Sequence, residues 1–137
     1  MTNLKMLSDF IALNFRTKTQ VGHGEIMFTV KMSNDRSQTV LVTLANKRDF
    51  QLIEVRSKCA AIQDAMMVRS ALRRNLSTQI GGLSLDTSTQ PNSIDFVQRL
   101  VSPNKDGPNL PELLNTIALI ASQADQIEQK FSNSDCF

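Results

Sequence analysis

Apolar residues at Leu4, Leu7, Ile11 and Phe15 recur in steps of three and four, with Met6, Phe10 and Leu13 widening the stripe. That spacing predicts an amphipathic helix of about four turns, which Gly22 and Gly24 then stop. From Glu25 the period becomes two. Ile26, Phe28, Val30 and Met32 fall on one side, and Met27, Thr29 and Lys31 on the other, as a half-buried strand requires. After the turn SNDRS, the run QTVLVTLAN is apolar on both faces and reads as a central strand. NKRD at 46–49 makes the next turn, and FQLIEVRS is the third strand. Connections this short predict an antiparallel meander, because parallel neighbours need a longer crossover.

After Ser57 the helical step returns at Ala61, Ala65, Val68, Leu72 and Leu76, with no Pro or Gly before Gly81. This predicts a second helix whose stripe carries small residues. GGLSLDTST and SIDFVQRLV then read as two strands of a hairpin joined through QPN. Pro103, Gly107, Pro108 and Pro111 mark a last boundary, and Asn109 with Glu112 reads as an N-cap and capping box. Leu113, Ile117, Ile120, Ala124, Ile127 and Phe131 form the stripe of a third helix of about five turns. The fold predicted is therefore α+β: a five-stranded antiparallel sheet and three helices, ordered α-β-β-β-α-β-β-α, in a single domain over 1–137.

Within that order, ALRRNLSTQIGGLSLD, SIDFVQRL and LPELLNTIALIASQADQIEQKF resemble the second half of the YbjN-like proteins. They also resemble, more distantly, the bacterial class I type III secretion chaperones. The shared pattern is a helix ending in Arg-Asn-Leu, a glycine-led strand, a hairpin, and a long helix with an Ala-Asp pair, here Ala124 and Asp125. The resemblance implies a two-layer fold and a homodimer, without cofactor or catalysis. It implies a chaperone-like module that holds an extended segment of a partner protein on apolar surface, or alternatively a regulatory adaptor of the YbjN type. It also implies a dimer seam along the second helix and the strand after Gly82, which assigns Ala61, Ala65, Val68, Leu72 and Leu83 to the interface. The chain departs from the acidic chaperones in its charge, with a net +2 and a pI near 8.7.

Composition narrows the chemistry. A chain with 41% hydrophobic and 20% charged residues is of ordinary globular make-up. No apolar run approaches the ~20 residues of a membrane span, and the polar N-terminus MTNLKMLSDF lacks a signal-peptide core; a cytoplasmic location without membrane insertion is expected. Cys59 and Cys136 are spaced for neither a disulfide framework nor a metal cluster, so both are expected to be reduced thiols and no metal site is expected. His23, the single histidine, lies in VGHGE between two glycines. It reads as a turn residue rather than as a base or ligand, with glycine supplying positive φ. Cys59, beside Lys58 and Arg56, has the basic neighbours that activate a thiol, but a buried structural cysteine is the simpler reading. Asp86 and Asp95 would face each other across the hairpin as paired carboxylates, an arrangement that solvated strands also produce. No catalytic residue is assigned.

Arg56, Lys58, Arg69, Arg73 and Arg74 gather positive charge around the second helix, with Asp64 the acid between them. A solvated face is the first reading of this patch. An acidic partner or second subunit is the next, and weak phosphate or nucleic-acid binding the last. Arg69, Arg73 and Arg74 are the contacts in either binding case.

Overall fold

The computed structural model describes residues 3–32, 35–61, 69, 73, 75, 81–86, 92–102 and 109–132. The elements in chain order are α1 (Leu4–Phe15), β1 (Gln20–Gly22), β2 (Glu25–Lys31), β3 (Ser37–Asn46), β4 (Gln51–Ala61), β5 (Gly82–Asp86), β6 (Ser93–Ser102) and α2 (Leu110–Ser132). All six strands form one antiparallel sheet in the order β1-β2-β3-β4-β6-β5. The α+β class and antiparallel sheet match the sequence reading, and the described residues form six strands where five are expected. Of the expected middle helix, Arg69, Arg73 and Asn75 are helical; its remaining positions, including Ala65, Val68, Leu72 and Leu76, lie outside the described residues.

The added strand is β1, which lies inside the segment assigned to helix termination. Helix α1 begins at Asn3, whose side chain accepts from the Met6 N–H at 2.9 Å, and ends when Arg16 turns left-handed at φ 51°. The glycines further on serve a different purpose. His23 and Gly24, at φ 50° and 81°, form a two-residue turn with Gly22 opposite Glu25, the geometry that matches strand twist. Met6 and Leu13 also depart from expectation, being 58% and 79% exposed. Of the apolar stripe only Leu7 and Ile11 are buried, with Ser8 beside them, because α1 packs on the β1–β2 margin of the sheet, where little surface is available to cover a wide apolar face.

Both helices share one face of the sheet and one core. Ile26, Phe28, Val40, Val42, Ile53 and Val55 meet Leu7 and Ile11 from α1 and Leu113, Ile117, Ile120 and Ala124 from α2. Each of the large aliphatic residues here contributes ~1.5–3 kcal/mol on burial. Asn109 caps α2 as predicted, accepting from the Glu112 N–H at 3.1 Å. Asp125, from the Ala-Asp pair, accepts from Arg36 Nε at 2.9 Å, and Arg36 Nη2 lies 3.7 Å from Glu128, which is fully buried. This group ties the end of α2 to the β2–β3 hairpin. No helix among the described residues is long and apolar enough to cross a membrane.

Strand β4 runs further than the sequence suggests. Ala61 belongs to it and pairs with Ser93, so Ala61 is a strand residue and not the start of a helical stripe. A bulge between Lys58 and Ala60 inserts the extra residue and breaks the alternation, which is why the two-residue period fades after Ser57. At the far margin, Gly81 takes φ 68°, and the Asn75 side chain binds both backbone groups of Leu83: Nδ2 donates to the carbonyl at 3.0 Å and Oδ1 accepts from the N–H at 2.6 Å. A single amide thus meets the outward groups of Leu83 as a neighbouring strand would.

Candidate functional site

The residues singled out by chemistry lie at separate places in the fold. His23 is an exposed turn residue. Cys59 is buried at the β4 bulge, its thiol directed at the Ser57 carbonyl 3.8 Å away. Among the described residues no group of His, Cys, Asp and Glu is placed to hold a metal ion.

Asp86 and Asp95 do approach each other, but diagonally: Asp86 pairs with Ser93, and Ser84 with Asp95. Between them sits Arg56. Its Nη1 is 3.3 Å from Asp95 and 3.8 Å from Asp86, while Nη2 is 2.6 Å from Glu54. The other Glu54 oxygen accepts from Arg99 Nε at 3.0 Å. Burial raises the pKa of the Asp95 carboxyl above the ordinary range. The Ser93 hydroxyl, which donates to it at 2.9 Å, works against that shift, as does Arg56; Asp86 adds to it and Lys58 lowers it. This network occupies the sheet face opposite the helices and links β4, β5 and β6. It also takes Arg56 out of the expected basic patch. Arg69 and Arg73 remain exposed on successive helical turns; Arg74 lies outside the described residues.

Of the expected dimer residues, Leu83 is 8% exposed and packs in the chain's own core. Ala61 sits in β4, and the other three fall outside the described residues. Gly81, the joint between helix and strand, is placed tightly: a Cβ there would lie 2.7 Å from both the Phe96 ring and the Val97 carbonyl oxygen.

The feature that pattern reading missed is a backbone edge. β6 has ten residues and β5 only five, and their pairing ends at Gly82 opposite Val97. Because Leu83 directs its N–H and carbonyl away from β6, Gly82 and Val97 face each other, and alternation turns the backbone of Arg99 and Val101 to the same outer side. Gln98 Nε2 serves the Arg99 carbonyl at 2.9 Å. The Arg99 N–H and both Val101 groups have no strand partner among the described residues. Beside this edge, between β6 and the first turns of α2, lies a groove of about 440 Å³ lined by Gln98, Leu100, Asn115, Thr116 and Leu119. A second hollow of about 360 Å³ at the start of β5 shares Gln98 with it. Val101 and Leu119 are 62% and 44% exposed. The signal in the sequence was the unequal length of GLSLD and SIDFVQRLVS.

Comparison with known proteins gives no match, either to a family model or to a curated protein.

Proposed function

We propose that the protein is a non-enzymatic protein-binding module that holds an extended segment of a partner, as the secretion chaperones it resembles do. The observation that carries this reading is the outer edge of β6, where the Arg99 N–H and both Val101 groups have no strand partner among the described residues, with an adjoining groove that has Leu100 and Leu119 among its walls. An extended segment laid there gains main-chain hydrogen bonds from the edge and places alternate side chains in the groove. The exposed apolar side chains of Val101 and Leu119 are the contacts such a segment would cover. A homodimer seam along the middle helix belongs to the same proposal. It would leave the β6 edge open, since the neighbouring β5 edge is served at Leu83 by Asn75 of the same chain.

The test is selection of a random dodecapeptide library on the immobilised protein, followed by titration of the selected peptides into wild type and Val101→Pro. Proline removes an outward N–H without touching the β4 ladder, a substitution that edge strands tolerate. Selected peptides should bind wild type and lose binding in the variant. Peptides that bind both proteins equally would place the binding surface elsewhere and refute the reading.

A further inference from the structure

We infer that the β6 edge selects an extended segment with an acidic residue opposite Arg99 and an apolar residue opposite Leu100, in the order β-branched, apolar, acidic. The inference rests on the strand-addition reading and adds the chemistry of the occupant. Arg99 is 63% exposed on its side chain and spends Nε on Glu54; among the described residues its two terminal nitrogens have no partner. Glu54 holds the guanidinium in position, and the free nitrogens present the donor pair that takes a carboxylate.

Register follows from the sheet. A segment continuing the line of β5 runs antiparallel to β6, as every neighbouring pair in this sheet does. Gly81, the described residue that precedes β5, takes a φ of 68°, which is not extended. The residue opposite Val101 therefore comes first, then the one opposite Leu100, then the one opposite Arg99. Paired residues point to the same face of an antiparallel sheet. The middle side chain then falls beside Leu100, in the groove walled by Thr116 and Leu119. The outer two fall on the opposite face, beside Val101 and Arg99. The groove wall also includes Glu112, which disfavours a second acid at the middle position.

The probes are two capped peptides, Thr-Thr-Val-Leu-Glu-Thr-Ser and the same sequence with Lys in place of Glu, titrated by fluorescence polarisation into wild type, Arg99→Gln and Val101→Pro. Amide shifts of Arg99 and Val101 are followed in wild type, so that the result does not depend on the variants folding. The Glu peptide should bind about fivefold tighter than the Lys peptide, the size of one cross-strand charge pair gained or opposed. Arg99→Gln should bring the two within about a factor of two of each other. Equal binding of both peptides to wild type, with loss in Val101→Pro, would overturn the acidic preference while leaving strand addition intact. No binding, or shifts confined to other amides, would overturn both. A wild-type dimer that Val101→Pro converts to monomer would assign the edge to a second copy of this chain and overturn the inference.

Discussion

Replacing Gly81 with alanine tests the tightest joint in the fold. The residue adopts φ 68°, a region that costs an L-residue with a Cβ roughly 1–2 kcal/mol. The added methyl would also sit 2.7 Å from the Val97 carbonyl oxygen and the Phe96 ring and 3.3 Å from Ile120. Val97 is held in the ladder with Gly82, and Phe96 is fully buried, so neither yields without displacing the sheet or the core. Overpacking of this kind adds about 1–3 kcal/mol. The sum, about 2–5 kcal/mol, is a large share of the stability of a small domain. With no Trp or Tyr in the chain, urea unfolding followed by far-UV circular dichroism is the suitable assay. Gly22→Ala is the control: it has open space within 4 Å and should be neutral or stabilising by ~0.4–1 kcal/mol through the unfolded chain. A Gly81→Ala protein within about 1 kcal/mol of wild type would refute the geometry described for this joint.

Four further outcomes follow from the same contacts. Arg36→Met removes the ion pair to Asp125, 2.9 Å long between two largely buried side chains, and should destabilise by about 1.5–3 kcal/mol, the worth of a hydrogen bond to a charged group; a shift in urea midpoint below a third of that would show that the group is not coupled. Asn75→Ala removes two hydrogen bonds to Leu83 and should cost about 1–3 kcal/mol, with faster hydrogen exchange at the Leu83 amide as the specific readout. Asp95 holds its proton more tightly folded than unfolded, so its contribution is complete below its ordinary value near 3.8 and is lost as pH rises through the raised folded value; the stability of wild type relative to Asp95→Asn should fall over that window, and a rise would reverse the assignment. Sedimentation should show a dimer that Ala65→Arg dissociates while Val101→Pro does not; a monomer in both would remove the seam.

Local pattern carried α1, α2 and most strands. The stripe from Leu113 to Ile127 is buried along α2, the Asn109 cap forms, and Ile26, Phe28 and Val30 alternate into the core. These are consequences of periodicity, which any chain segment records within itself. Where a local rule had two outcomes, the reading failed: the glycines around His23 make a hairpin instead of ending a helix, and Ala61 continues a strand through a bulge. Asp86 and Asp95 were placed on the same hairpin, yet nothing in the sequence indicated that Arg56 from β4 would stand between them. That depends on β6, not β5, lying beside β4.

The order of the last two strands was decided by the tertiary structure, and its physical reason lies in what each strand has to bury. Ile94 to Val97 are buried on both faces, and ten residues of β6 match the eleven of β4, so the interior position satisfies the longer ladder. Strand β5, five residues long with Leu85 half exposed, is suited to a margin where its outer groups can be met by a side chain. That choice leaves Arg99 and Val101 with an outer edge. The sequence by itself determined which residues seek burial and at what period; only the packing of distant segments decided which backbone groups remained to bind something else.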